Sequence, residues 1–277
     1  MKLDHKRTVL VGLAFFSICA FWQMYDNIIP LILTHTFQLD ETVCGAIMAA
    51  DNVLALVLLP FFGALSDRTS TRIGRRMPFI LGGTACAVLL MNLLPLFDNG
   101  YAATEEKGKL VLFVVALGLL LVAMGTYRSP AVALMPDVTP KPLRSRANAI
   151  INLMGAVGGI TYLLTAALLY PNSKTAGVQH VNYQPLFVAV SLLMAAAVAV
   201  LYFTTNEPKL AAAEKEYEAA HPEQQLLEEE PDGREELPKP VKRSLLMILF
   251  SIALWYIGYN GVTTWWTTYV ARVMGQG

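Results

Sequence analysis

The sequence predicts an all-α membrane protein, and its composition is the first reason. Hydrophobic residues make up 55% of the chain and charged residues 15%, whereas charged residues make up about a quarter of a soluble domain. The second reason is that the apolar residues are grouped in long runs, and about 20 of them suffice for a helix that crosses a bilayer. Such a chain requires the lipid bilayer as its surroundings.

Seven apolar segments are long enough to be spanning helices. By residue number they cover about 8–33, 43–66, 78–97, 110–135, 147–170, 185–205 and 244–270. The first segment is not a cleaved signal peptide, because it is too long, contains Asp26 and lacks a small-x-small cleavage site.

The spacing of these segments predicts three parts. Residues 1–205 form a six-helix bundle, 206–243 form a linker, and 244–277 contain the seventh helix. The linker is the one hydrophilic stretch, and its Ala/Glu/Lys-rich start predicts a surface helix at about 208–220.

Basic residues predict the orientation, since Lys and Arg are retained on the cytoplasmic side. One side has ten of them: Lys2, Lys6, Arg7, Arg68, Arg72, Arg75, Arg76, Lys141, Arg144 and Arg146. The other side has three, namely Lys107, Lys109 and Lys174. We therefore expect a cytoplasmic N-terminus and a cytoplasmic linker in a protein of the cell membrane.

The charged and metal-binding residue types exclude several functions. Lys+Arg and Asp+Glu balance at 21 each, so no nucleic-acid partner is expected. The sequence contains no metal-ligand cluster, nucleophile–base pair or phosphate loop, and its cysteines are dispersed. The histidines (His5, His35, His180 and His221) fall in predicted tails or loops. We expect neither an enzyme nor a cofactor.

A charged motif separates the second and third spans. It consists of Gly63-x-Leu65-x-Asp67-Arg68 followed by Gly74-Arg75-Arg76. Glycine permits close helix approach, and the arginines hold the loop on the cytoplasmic side. Asp67 does not help that retention, so we predict that it forms an ion pair that is made in one conformation and broken in another. The motif then acts as a gate as well as a topology signal.

This motif resembles one from the major facilitator superfamily. Its longer form here, SDRTSTRIGRRMPF (66–79), is similar to that of the glycoside–pentoside–hexuronide cation symporters and the sucrose–proton symporters. A second block, YRSPAVALMPDVTPKPLRSRANA (127–149), resembles the same group. The resemblance implies the superfamily's N-terminal six-helix bundle plus one helix of the second half. We therefore expect 1–277 to be an incomplete copy whose partner is a missing C-terminal half.

Three ionisable residues are predicted within the spans: Asp26, Asp51 and Arg128. Each costs about 2.5–3.5 kcal/mol at a helix centre, so such residues face a cavity or a partner. Gln23, Asp26 and Asn27 share one face of the first helix. A polar face beside aromatic residues suits a sugar, and either acid is a candidate to carry a coupled proton.

Later helices add further candidates for substrate contact. They are Tyr127 and Arg128 in the fourth span, Asn152 in the fifth, and Tyr259 and Asn260 in the seventh. The resemblance implies that these helices line a central cavity. Gly155 and Gly159, in contrast, predict a packing seam.

The sequence departs from the melibiose-type relatives at the cation site. Those relatives have two acids one turn apart in helix II, where this chain has Ala55 and Leu59. They also have a helix IV carboxylate for the sugar, where this chain has Arg128. Sodium is thus a less favoured coupling ion than a proton, and no bound cofactor is expected.

The function predicted first is proton-coupled symport of a glycoside, a di- or oligosaccharide such as sucrose or maltose. A transporter for another polar or anionic solute is an alternative, because the guanidinium of Arg128 can bind a carboxylate. A non-transporting truncated protein or membrane sensor is the alternative from a different class.

Overall fold

The computed structural model describes residues 3–171, 178, 180–220 and 238–274. These residues fall into two compact units, 1–214 and 215–277. Each unit is considered by itself below. Lys2, Lys174, His221, the linker stretch 221–237 and residues 275–277, which the sequence analysis used, lie outside the described residues.

The described residues form helices throughout, with no strand among them. In chain order the helices are α1 (His5–Leu31), α2 (Glu41–Arg68), α3 (Met77–Thr104), α4 (Lys107–Asp137), α5 (Arg144–Leu169), α6 (Gln184–Thr204), α7 (Glu207–Ala220) and α8 (Lys239–Arg272). A π-helical turn, Ile32–Thr36, extends α1, and a short 3₁₀ turn, Lys141–Leu143, precedes α5.

Seven of these helices are long and apolar enough to cross a membrane. They match the predicted spans in order, which confirms an all-α membrane protein. The linker helix predicted at about 208–220 is α7, Glu207–Ala220. Residues 207–214 of α7 belong to the first unit. The division of the chain into a six-helix bundle, a linker and a seventh helix stays a prediction.

The third span is longer than the sequence analysis predicted. The predicted segment stopped at residue 97, whereas α3 continues to Thr104. Asp98 therefore lies inside a spanning helix and is fully buried. The predicted end of the third segment is wrong, because the polar residues Asp98-Asn99 that end the apolar run do not end the helix. That Asp26, Asp51 and Arg128 are the charges within the membrane stays a prediction.

Local sequence explains where the first helices begin and bend. Asp4 caps α1 by accepting a hydrogen bond from the Arg7 N–H at 3.0 Å, and Asp40 caps α2 through the Thr42 N–H at 2.9 Å. Pro30 lacks an N–H donor, and the backbone changes to a π-helical turn just beyond it. The Thr34 hydroxyl donates to the Pro30 carbonyl at 2.8 Å.

The first unit is built on two close helix pairs, α1 with α5 and α3 with α4. Glycines of α5 make the first pair possible, since a Cβ on Gly158 would lie 2.0 Å from the Phe16 carbonyl oxygen of α1. A Cβ on Gly155 would lie 2.9 Å from Cys19 Sγ, and one on Gly159 would lie 3.3 Å from Gln23 Cγ. The predicted seam at Gly155 and Gly159 is confirmed, and Gly158 is its tightest point.

We expect Gly158→Ala to destabilise the first unit by about 3 kcal/mol, because the new methyl group would meet backbone and not a movable side chain. The matched control is Gly118→Ala in α4, where nothing lies within 4 Å of the added atom. The measurement is the thermal unfolding midpoint of the detergent-solubilised variants. Equal midpoints for the two variants would show that α1 and α5 do not approach this closely.

Candidate functional site

The polar face of α1 lies inside the first unit and is partly buried. Gln23, Asp26 and Asn27 occupy it, and the Asn27 amide donates to the Gln23 carbonyl at 2.7 Å. Asp26 interacts electrostatically with Asp51 of α2. Two acids that are 25 residues apart in sequence are therefore close enough in space to influence each other's charge.

Arg128 of α4 belongs to the same polar centre. Its guanidinium carbon lies 5.5 Å from the centre of the Trp22 ring, a distance that suits a cation–π interaction. The charge of Arg128 also acts on Asp51. Among the described ion pairs none joins Arg128 to Asp26 or Asp51, so the close contact of the guanidinium is with the Trp22 ring.

Two aromatic side chains of α1 have polar atoms that lack a hydrogen-bond partner among the described residues. They are the Trp22 indole N–H and the Tyr25 hydroxyl, and both atoms are buried. Unpaired buried donors are costly in a folded protein. The two donors are available to a polar molecule that enters the centre, because they have no partner among the described residues. Tyr25 also interacts there with Asp26 and Asp51. We name Trp22, Tyr25, Asp26, Asp51 and Arg128 the central cluster.

Tyr127 and Asn152 are placed differently from the central cluster. Tyr127 is fully buried; its hydroxyl donates to the Ala14 carbonyl at 2.9 Å and also bonds the Ser17 hydroxyl. This geometry favours a packing role between α1 and α4. Asn152 is exposed, and its amide donates to the Asn148 carbonyl of its own helix at 2.9 Å. Direct substrate contact by either residue stays a prediction.

Tyr259 and Asn260 lie on α8 in the second unit. Both are exposed in that unit, and the Tyr259 ring stacks on Trp255 with 5.4 Å between centroids. The Thr263 hydroxyl donates to the Tyr259 carbonyl at 3.0 Å. Their predicted role in substrate binding is untested.

Arg76 is the centre of the charged motif between α2 and α3. Although it is an arginine in a loop, it is 4% exposed. It forms an ion pair with Asp67, and its Nε donates to Asp137 Oδ2 at 2.7 Å. Its guanidinium also donates to the Ser66 hydroxyl. Arg75 pairs with the other oxygen of Asp137 at 2.8 Å, so Asp137 holds both arginines at the end of α4.

A second acid caps the helix that follows the motif. Glu207, 2% exposed at the start of α7, accepts from the backbone N–H groups of Arg75 (2.8 Å), Arg76 (2.9 Å) and Met77 (2.9 Å). A carboxylate at a helix N-terminus is favoured by the helix dipole. Glu207 thereby ties the end of the sixth span to the start of the third.

Gly74 makes this cap possible. Its φ of +118° is a conformation that side chains rarely adopt, and a Cβ there would lie 2.2 Å from Glu207 Oε2. The second glycine of the motif therefore turns the chain and leaves space for the acid. Gly63, the first glycine, lies on α2 where a Cβ would approach the Ser129 hydroxyl to 3.1 Å, as expected for close helix approach.

The sequence analysis missed Asp137, Glu207 and Asp98 as functional candidates. Asp137 stands within the second quoted block, and an acid there could have been matched with the arginines of the first block. Glu207 opens the linker directly after the sixth span, a position that is typical of a helix cap. For Asp98 the sequence offered no signal, since it was placed in a loop.

The spanning helices enclose two acids, an arginine and unpaired aromatic donors. They define a multi-pass membrane protein with a polar interior. Proteins of this class carry solutes through membranes. The model of the Major Facilitator Superfamily matches residues 11–277. The chain therefore belongs to this superfamily, whose members are transporters and not enzymes.

Individual relatives are sugar transport proteins by name. The sucrose transport protein SUC3 of Arabidopsis thaliana is 30% identical over 55% of this chain and 27% of its own length. The sucrose transport protein SUT3 of Oryza sativa subsp. indica is 31% identical over 68% of this chain and 42% of its own length. YagG of Escherichia coli strain K12, a protein assigned as a glycoside/cation symporter, is 28% identical over 69% of this chain and 41% of its own length. The chain thus spans less than half the length of these relatives.

Proposed function

We propose that this chain belongs to a secondary active transporter that moves a glycoside together with a proton. The observation that carries the proposal is the central cluster, in which two interacting acids, an arginine and two unpaired aromatic donors meet inside a membrane helix bundle. The relatives named for sucrose and glycoside transport support the same substrate class.

The chemistry of the cluster fits a sugar. Sugar hydroxyls both donate and accept hydrogen bonds, and the centre offers carboxylates as acceptors and the Trp22 and Tyr25 groups as donors. Gln23 adds an amide on the same face of α1. The aromatic faces provide apolar planes against which a sugar ring packs. We infer a di- or oligosaccharide, because the named relatives include sucrose transport proteins.

The acids favour a proton over sodium as the coupling ion. Sodium needs several oxygen ligands, and no group of three or more His, Cys, Asp or Glu residues that could hold a metal ion is found among the described residues. Ala55 and Leu59 stand where the melibiose-type symporters, which this chain resembles, have acids at their cation site. Two neighbouring carboxylates destabilise each other's charge, so one of them holding a proton is the less costly state.

The basic loop sets the proposed orientation. The side of the bundle with Arg68, Arg72, Arg75 and Arg76 is placed in the cytoplasm by the retention of positive charge. The N-terminus then lies on the same side, and the cell membrane is the proposed location.

An anionic solute is the second candidate, and the position of Arg128 favours it. The guanidinium is held over Trp22 without a carboxylate within ion-pair distance among the described residues. It is therefore able to bind a carboxylate or a sulfate from a ligand.

Ligand-induced thermal stabilisation of the purified protein distinguishes the two candidates. We expect sucrose or maltose to raise the unfolding midpoint in a concentration-dependent way, and dicarboxylates of similar size to have no effect. Mannitol controls for the general effect of polyols. Stabilisation by dicarboxylates alone, lost in Arg128→Ala, would support the anion carrier and contradict the glycoside.

We expect Asp67→Asn to lower the transport rate about fivefold, which corresponds to roughly 1 kcal/mol, and to leave the amount of protein in the membrane unchanged. Asp67 is half exposed, whereas Arg76 keeps Asp137 and Ser66 as partners. The fold therefore survives, but the conformation that the ion pair stabilises loses a contact. The measurement is initial sugar uptake normalised to membrane abundance, with Asp4→Asn as the control. Loss of the protein from the membrane would show that Asp67 serves folding instead.

A further inference from the structure

Asp98 is the most deeply buried charge at the end of the bundle opposite the charged motif. It is 0% exposed on α3, and neither of its oxygens has a hydrogen-bond partner of good geometry among the described residues. The Thr36 hydroxyl interacts with it more distantly. An ionised carboxylate that is buried without donors is very unfavourable.

His180 is the basic group that faces this acid. Its Nε2 lies 3.9 Å from Asp98 Oδ2 and 2.9 Å from Asn99 Oδ1, and its Nδ1 lies 3.3 Å from the Thr36 hydroxyl. His180 thus joins the connection between α5 and α6 to the end of α1 and to α3. Asn99 and Asn182 reinforce this closure through an amide hydrogen bond of 2.9 Å.

The remaining titratable groups around the pair are neutral or peripheral. Burial raises the pKa of Tyr170. Burial and the charge of Asp98 raise the pKa of Tyr183 to about 12, so both phenols stay protonated. His35, Tyr101 and Glu105 line a neighbouring cavity of about 270 Å³ that also reaches His180. Lys109 of α4 approaches α3 beside Gly100.

We propose that Asp98 and His180 form a second proton-binding site, separate from the central cluster, whose proton keeps residues 180–183, which precede α6, packed against Thr36 and Asn99. We call this packed arrangement the closed state. In the closed state Asp98 holds the proton. When the pair opens, the carboxyl gives this proton to water in the adjoining cavity and gains hydration in return. The cavity beside His180 is the route for the proton.

The protonation state of the His180 ring determines whether rising pH opens or closes the site. Burial lowers the pKa of His180 below its usual value, so the ring is neutral at pH 7 and does not neutralise an ionised Asp98. Above about pH 6.5, where an exposed imidazole is also mostly neutral, the closed state then binds one more proton than the open state. Rising pH therefore favours opening, by up to about tenfold per pH unit for a single proton.

Hydrogen exchange of the purified protein in lipid nanodiscs tests the proposal without any transport assay. In wild type we expect the amides of 36–39 and 180–183 to exchange faster as the pH rises from 6.5 to 8, by up to about tenfold per pH unit beyond the intrinsic rate. Asp98→Asn imitates the protonated acid, so these amides should stay protected at every pH. Glu106→Gln, which removes an exposed carboxylate near the same end of the bundle but outside the lining of the cavity, should behave as wild type.

A variant of His180 tests the closing role of the ring separately from the proton held by Asp98. His180→Gln should raise exchange at pH 6.5 to the wild-type level at pH 8, because it removes the ring that bridges Thr36 and Asn99. An unchanged pH response in Asp98→Asn would overturn the assignment of the proton. Unchanged protection in His180→Gln would overturn the closing role. Neither result would affect the function proposed for the central cluster.

Discussion

Arg76→Ala is expected to lower the free energy of unfolding by about 3–5 kcal/mol, the cost of removing one partner from a buried ion pair. Arg76 is the shared partner of Asp67, Asp137 and Ser66. Its loss leaves Asp137, which is 14% exposed at its side chain, with Arg75 alone. In thermal unfolding this corresponds to a decrease of about 10 °C in the midpoint.

Arg72→Ala is the matched control for this prediction. Arg72 belongs to the same loop and is exposed, so its removal subtracts the same charge from the same side of the membrane. If retention of positive charge were the whole role of the motif, the two variants would lose the same stability and the same correct insertion. Equal unfolding midpoints would contradict a structural role for Arg76.

The second large effect concerns coupling at the central cluster. In the full-length transporter, we expect Asp26→Asn or Asp51→Asn to abolish proton-driven accumulation, so that the internal sugar concentration no longer exceeds the external one. At least one of the two variants should retain downhill exchange, since an amide still forms hydrogen bonds with a sugar but does not carry a proton. Asp26 shares the α1 face with Gln23 and Asn27, and Asp51 accepts from the Asn52 N–H at 2.6 Å.

Arg128→Ala completes this set of variants. Because Arg128 acts on Asp51 and is stacked on Trp22, its removal should weaken accumulation and exchange together. The assay is counterflow of labelled sugar, compared with accumulation under an imposed pH gradient, in the same vesicles. Normal accumulation with normal pH dependence in both Asn variants would show that neither acid carries the coupled proton.

Sequence reasoning was sufficient for the helices and for the acids of the centre. Hydropathy located all seven spans because length and apolarity are properties of one segment at a time. The polar face of α1 followed from helical periodicity in the same way. Such arguments require no knowledge of which helices are neighbours.

The features that the sequence did not predict depend on which helices are neighbours in the fold. Asp137 and Glu207 stand 61 and 131 residues from Arg76 in sequence and meet it in space, which local pattern does not reveal. Tyr127 was predicted together with Arg128 as a substrate contact but bonds Ser17 of α1. Asp98 was misplaced because a helix supported by tertiary packing continues beyond its apolar run.

The central claim is that a proton gradient drives glycoside uptake through this polar centre. The most direct measurement is uptake of labelled sucrose into vesicles that contain the purified full-length transporter to which this chain belongs, with either an inward proton gradient or an inward sodium gradient of equal size. The account predicts accumulation above the external concentration with the proton gradient alone, and its loss on addition of a protonophore. Accumulation driven by sodium in the presence of the protonophore would contradict it.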